Sequence, residues 1–197
     1  MQTKETMMRV KPFAITLDVG TSLANRTGSW RTLKPVYVDR LPPCNAKCPA
    51  GEQCQAWLFH AQSGNYENAW KQIIEDNPFP AVMGRVCYHT CQGACNRNGI
   101  DEPVGINAVE RFLGDYALEK DWQLPVPAAD TGKRILIVGA GPAGLSAAYQ
   151  LRRLGHAVHV VESAEAAGGM MRYGIPKYRL PREVLQLLVL SLSLAAK

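Results

Sequence analysis

Apolar positions recur at helical spacing through the middle of the chain and give way to short continuous runs after residue 133. From Tyr66 to Asp76, the residues Tyr66, Ala69, Trp70, Ile73 and Ile74 stand at i, i+3, i+4, i+7 and i+8. That spacing predicts an amphipathic helix, stopped by Asn77-Pro78. Glu52 to Gln62 predicts another, with Cys54, Trp57, Leu58 and Ala61 on one face and Ser63-Gly64-Asn65 breaking it. Asn107 to Lys120 predicts a third, with Val109, Phe112, Leu113 and Tyr116 facing inward. Cys87 to Asn98 reads as a cysteine-rich turn region. Together residues 44–122 form a small helical domain whose Trp and Tyr stripes belong to the core. That core is thin, so a bound metal centre would add to its stability.

The pattern then changes. Ile135 to Val138 are four consecutive apolar residues, the signature of a strand buried on both faces of a parallel sheet. Gly139, Gly141 and Gly144 follow in G-x-G-x-x-G spacing, with Pro142 and Ala143 opening a helix. The first glycine allows a tight turn, the second lets backbone approach a pyrophosphate, and the third brings helix and strand together. Leu145, Ala148, Tyr149 and Leu151 share a helical face, and Gly155 is placed for a left-handed cap. Val158 to Val161 predict a second strand ending at Glu162, an acid at the distance that suits an adenosine ribose diol. A carboxylate there repels a 2′-phosphate, which favours FAD or NAD over NADP. The reading is a partial Rossmann-like unit over residues 133–184.

The rest of the chain frames these two parts. Residues 1–43 are expected to be an N-terminal arm and 123–132 a Pro-rich linker. Gly168 to Pro176 forms a glycine-rich loop, and residues 185–197 form an apolar, Ser-interrupted tail. No internal repeat is visible. Lys and Arg number 22 against 17 Asp and Glu, a net charge of +5. The basic residues are scattered, and their densest set, Arg172, Lys177, Arg179 and Arg182, is broken by Gly and Pro. No nucleic-acid surface is indicated. Met1 to Leu17 lacks the apolar core of a signal peptide. No stretch approaches the roughly 20 apolar residues of a membrane span. A cytoplasmic, reducing compartment is therefore expected, which argues against pairing the six cysteines as disulfides.

Those cysteines fall as Cys44-x3-Cys48-Pro49, then Cys54, then Cys87-x3-Cys91-x3-Cys95. Thiolates gathered from separated loops, with a Cys-Pro step, suit an iron–sulfur cubane. Zinc, with His89 inside the second group, and unliganded buried thiols are alternatives that the spacing leaves open.

Pro42-Pro43-Cys44-Asn45-Ala46-Lys47-Cys48-Pro49-Ala50-Gly51-Glu52, Asp76-Asn77-Pro78 and Gly84 to Arg97 resemble the glutamate synthase small-subunit family, which includes the N-terminal part of dihydropyrimidine dehydrogenase. The match continues through Val138 to Leu145 and Gly168 to Pro176. The resemblance implies a helical iron–sulfur domain, an FAD site with Gly169, Met170 and Arg172 contributing, and electron flow from NAD(P)H through FAD and clusters to a partner subunit or domain. It assigns Cys48, Cys87 and Cys91, with Glu110, to one 4Fe–4S cluster. Cys44 and Cys95 are left as ligands of an incomplete second cluster, because Val36 and Asp39 stand where relatives carry a further C-x2-C pair. Cys54 matches no family ligand. From Gln186 the resemblance stops.

The fold expected is α + α/β: a helical iron–sulfur domain followed by a partial Rossmann βαβ unit. The function expected is that of the N-terminal portion of a flavin-dependent, iron–sulfur NAD(P)H oxidoreductase. The alternative is a cluster- or zinc-stabilised docking module without turnover. Only one G-x-G-x-x-G unit occurs, so this chain alone is not expected to turn over NAD(P)H, whose ring must be held against the flavin by a second unit.

Overall fold

A computed structural model describes residues 41–125 and 129–194. The expected N-terminal arm, Val36 and Asp39 included, thus lies outside the described residues up to Arg40. Six short helices come first: α1 (Pro43–Lys47), α2 (Cys54–Gln62), α3 (Tyr66–Asp76), α4 (Pro80–Val86), α5 (Thr90–Gly93) and α6 (Ile106–Glu119), with a 3-10 turn at Asn96–Gly99 before α6. The second part runs β1 (Arg134–Val138), α7 (Pro142–Arg153), β2 (Ala157–Val161), α8 (Met170–Tyr173) and α9 (Arg182–Leu194).

Helix α3 keeps its predicted bounds. Pro78 forces the preceding residue out of the helical region, and Asn77 is extended at φ −123°, ψ 99°. Asn77 Oδ1 then accepts the Phe79 N–H at 3.0 Å, turning the chain into α4, where Pro80 occupies the first turn. Helix α4 has no periodic signal because it is only seven residues long and holds Gly84 on its buried side.

That glycine decides how α6 sits. An added Cβ on Gly84 would lie 2.5 Å from the Arg111 backbone, and one on Gly114 would lie 2.2 Å from the Ala81 nitrogen. The two helices therefore touch backbone to backbone. This contact turns α6 away from the expected face: Ile106, Glu110, Leu113, Gly114 and Ala117 are buried, while Phe112 is 46% exposed. Phe112 and Tyr116 instead build an aromatic rim with Tyr66, at ring separations of 5.2 and 5.7 Å.

Strands β1 and β2 pair in parallel, with Ile135 opposite Val158 and Ile137 opposite Val160. The expected burial on both faces is not met. Ile135 and Ile137 are half-buried, with Ile137 packed beside Gly144 of α7, whereas Leu136 and Val138 are 62% and 82% exposed. Among the described residues no element covers that second face. Helix α7 ends as predicted at Gly155 (φ +84°): its N–H bonds to the Arg152 carbonyl and that of His156 to Leu151, the Schellman pattern.

The described residues pack as one unit. Phe79 and Val82 of the helical part share a core with Ala140, Leu145, Met171, Leu180, Leu185 and Leu188. A second shared core joins Trp70, Ile74 and Ala117 to Tyr149 of α7. Beside it Gln150 and Arg153 both donate to the Glu75 carbonyl near the end of α3, at 2.9 and 2.7 Å. Residues of the expected tail, Leu185 and Leu188, are thus core residues of α9.

Candidate metal centre and dinucleotide site

Helices α1 and α5, some forty residues apart in sequence, pack together, and Thr90 Oγ1 donates to the Lys47 carbonyl at 2.9 Å. Their contact brings Cys48, at the extended end of α1, towards Cys91 of α5. Cys87 follows α4 in an extended conformation and its Sγ accepts the His89 N–H at 3.4 Å. His89 is in the left-handed region at φ 57°, so its amide faces back to that sulfur. Burial, with the charges of Cys48 and Cys87 nearby, pushes the Cys91 thiol up to about 11, and all six cysteines are free thiols. Cys44, like Cys48, packs against the core that holds Trp57, and its Sγ lies 3.6 Å from Asn45 Oδ1. Cys95 lies beyond α5, and the amides of Val104 and Arg97 draw its thiol below the ordinary range.

Next to these thiols lie two buried acids. Asn77 Nδ2 donates to Glu52 Oε1 at 2.8 Å and to Glu110 Oε1 at 2.9 Å. Burial raises both carboxyls well above the ordinary range, and their mutual proximity and the nearby Cys48 add to it for Glu110. Cys54, fully buried on α2, shares a hydrogen bond with Cys48 that lowers the Cys48 thiol and raises its own. Trp57 Nε1 is buried without an acceptor at hydrogen-bond geometry, although it sits close enough to Glu52 to favour the ionised carboxylate. The donor set is right for a thiolate-held cluster: soft sulfurs on separate elements, free of disulfides, with a buried carboxyl beside them. Glu52, Asn77 and Cys54 were not singled out from sequence as members of the site. Asn77-Pro78 carried a signal as a helix stop and as part of the family resemblance, neither of which gave Asn77 a role at the site.

The dinucleotide loop is built as its glycines require. Gly139 has φ +101°, and a Cβ on Gly144 would stand 1.9 Å from the Gly139 carbonyl oxygen. Gly141 caps α7 at φ −77°, where a Cβ would meet only Gly169 Cα at 3.9 Å. The first helical bond runs from Leu145 N–H to the Gly141 carbonyl, so the Ala143 and Gly144 amides precede it and face outward with the helix dipole. Pro142 brings no amide to this end. Glu162 Oε2 accepts the Ala140 N–H at 2.7 Å and Oε1 the Ala164 N–H at 2.9 Å, bonds that hold its pKa below the usual carboxylate value.

The 168–176 loop closes over this turn. Gly168 N–H bonds to the Ala140 carbonyl at 2.8 Å, and Gly169 (φ +46°) lies so near Gly141 that a Cβ would reach 2.8 Å from its Cα. Met170 is exposed beside it. Arg172 Nε donates to the Ala167 carbonyl within the same loop at 2.6 Å. Arg182, noted in the sequence only as one of the densest basic set, ties the loop from below through the carbonyls of Met171, Leu180 and Ile175. Among the described residues no helix is long and apolar enough to cross a membrane.

Residues 38–122 match the family model of dihydropyrimidine dehydrogenase domain II, 4Fe–4S cluster, and residues 137–185 match that of an NAD(P)-binding Rossmann-like domain. The chain is 42% identical over 140 residues to glutamate synthase (NADH) of Schizosaccharomyces pombe, covering 71% of this chain and 7% of that one. It is 37% identical over 166 residues to the NADP(+)-dependent formate dehydrogenase subunit beta of Moorella thermoacetica, covering 73% and 23%. It is 38% identical over 140 residues to the glutamate synthase (NADPH) small chain of Bacillus subtilis, covering 71% and 28%. The chain thus spans less than a third of the length of each of these relatives. A 4Fe–4S cluster domain and a Rossmann-like dinucleotide-binding domain are both present, as the α + α/β pattern implied.

Proposed function

Since the chain belongs to the glutamate synthase small-chain family, we propose that it carries the flavin-to-cluster segment of an NAD(P)H-dependent oxidoreductase that delivers electrons to a partner subunit or domain. The observation that carries this reading is the shared core. Phe79 and Val82 of α4, the helix that leads into Cys87, pack with Ala140 and Leu145 of the dinucleotide turn. A cluster held by Cys48, Cys87 and Cys91, with Glu110 as fourth ligand, would be fixed to the same rigid body as the dinucleotide. Residues 44–122 and 133–184 are the two working parts, joined by the linker 123–132. Cys44 and Cys95 would serve an incomplete second centre.

Bound FAD would take electrons in pairs and release them singly to an iron–sulfur centre. The residues of this chain bind and orient. The Ala143 and Gly144 amides and the N-terminus of α7 meet the pyrophosphate. Glu162, held ionised by backbone amides, keeps lone pairs for the ribose diol and repels a 2′-phosphate. The Gly169–Met170 turn covers the loop, and Arg172 stiffens it. NAD(P)H would be held by a unit other than residues 133–184.

The test is FAD titration of the full chain, followed by light-driven flavin reduction with EPR detection of the cluster. Wild type is expected to bind one FAD and pass electrons to the cluster. Gly141→Ala fits the protein without strain, because its Cβ finds only Gly169 Cα at 3.9 Å. It would nonetheless intrude on the pyrophosphate, and affinity is expected to fall by at least about tenfold. Equal FAD binding by wild type and Gly141→Ala would remove the site assignment. A reduced flavin that leaves the cluster oxidised would remove the relay.

A further inference from the structure

Two buried donors, Glu52 and Cys54, belong to neither of the sets assigned above. Glu52 and Cys54 each offer one ligand atom that lies, with Cys48 Sγ, within 4.8 Å of the other two. Two Zn–S bonds of about 2.3 Å place sulfurs that share one ion no more than ~4.6 Å apart. In the tetrahedral geometry that zinc prefers, two such sulfurs stand ~3.8 Å apart, so side-chain adjustments of up to about 1 Å would bring all three onto a single ion. A cubane makes a different demand, since its protein ligands bind separate irons at separate corners.

The carboxylate is already aimed. Asn77 holds Glu52 Oε1 at 2.8 Å and is itself clamped by the Phe79 N–H at 3.0 Å, which leaves Oε2 for an ion. Trp57 Nε1–H, buried and without an acceptor, stands beside the same carboxylate. An oriented ligand with a fixed hydrogen-bonding partner behind it is the arrangement that metal sites use.

We propose that Cys48, Glu52 and Cys54 form a single-ion site, two thiolates and a carboxylate, for a borderline divalent cation such as Zn²⁺, and that its occupancy excludes the 4Fe–4S cluster because both need the Cys48 thiolate. Binding releases the thiol protons to solvent and forms two metal–sulfur bonds and one metal–oxygen bond, with no change of oxidation state. Zinc reaching the apo chain first would block cluster assembly, and Cys54 is the residue responsible.

The experiment uses the full apo chain, reduced and anaerobic, titrated with Co²⁺ as a spectroscopic stand-in for Zn²⁺. Wild type is expected to bind one Co²⁺ with thiolate charge-transfer and tetrahedral ligand-field bands, reversed by Zn²⁺. Cys54→Ser, close in volume, should lose roughly half the charge-transfer intensity, because one of two sulfurs is gone. Cys87→Ser should keep the Co²⁺ spectrum, because Cys87 is outside the triad. In reconstitution, Zn²⁺ added first should prevent cluster formation in wild type, while Cys54→Ser takes up the cluster despite it. If Cys54→Ser fails a circular-dichroism check of folding, Glu52→Gln replaces it, with at least about tenfold weaker Co²⁺ binding expected. No Co²⁺ binding by wild type would overturn the site. So would a spectrum lost in Cys87→Ser but retained in Cys54→Ser. A chain that binds Co²⁺ as described but never assembles a cluster would uphold this site and remove the electron-relay reading.

Discussion

Replacing Gly114 by alanine tests the geometry on which the metal centre is built. Alanine is the better helix former by about 0.8–1.0 kcal/mol, so on propensity alone the change would stabilise α6. The structure reverses that sign. The new Cβ would lie 2.2 Å from the Ala81 nitrogen, 2.6 Å from its Cα and 2.7 Å from the Pro80 carbonyl carbon. All three are backbone atoms, so no side chain can swing aside. Helices α4 and α6 would have to part by about 1 Å, a strain that overpacked cores register as roughly 1–3 kcal/mol or more. A net loss of about 1–2 kcal/mol would lower the melting temperature by roughly 2–8 °C in a chain of this size. Glu110 lies one turn before Gly114 on α6, so the parting also draws its carboxyl from Asn77. Thermal unfolding of the apo protein is the first assay and iron content after reconstitution the second. A melting temperature equal to or above wild type would refute the backbone-to-backbone crossing.

Three further changes probe other parts of the account. Asn77→Ala removes the one donor shared by Glu52 and Glu110; a cost of about 1–3 kcal/mol is expected in thermal unfolding, with lower cluster yield. Leu185→Ala opens the core that joins the two parts, at a fully buried position. It should cost about 2–5 kcal/mol and weaken FAD binding together with cluster retention, as measured by denaturant unfolding and cofactor content. Gly144→Ala, with its Cβ 1.9 Å from the Gly139 carbonyl oxygen, should disrupt folding of the loop, visible as lost limited-proteolysis protection around residues 139–150 even without flavin.

What the sequence made legible was what repeats or what glycine forces. The α3 stripe, the βαβ order, Gly139, Gly144 and the cap at Gly155 were all readable, because each follows from periodicity or from a backbone requirement. Helix α4 escaped because seven residues starting at Pro80 show no period. Its close contacts with α6, Gly84 on Arg111 and Ala81 on Gly114, turn α6 and put Phe112 at the rim, which no pattern within α6 alone reveals. The full burial expected of Leu136 and Val138 assumed cover on a face that no described residue covers. The site itself divides in the same way. The cysteine spacing pointed to thiolate chemistry, but Asn77 bridging two acids, and Cys54 beside Cys48, depend on how loops distant in sequence fold over one another.

The proposal that Cys48, Cys87, Cys91 and Glu110 form one firm cluster site is tested most directly by counting metal. The full chain, reconstituted anaerobically, would be assayed together for iron, acid-labile sulfide and zinc, with EPR after reduction. The result expected is about four iron and four sulfide per chain, one EPR species, and loss of both in Cys91→Ser. About eight iron with two distinct EPR species, or zinc with no sulfide, would contradict it.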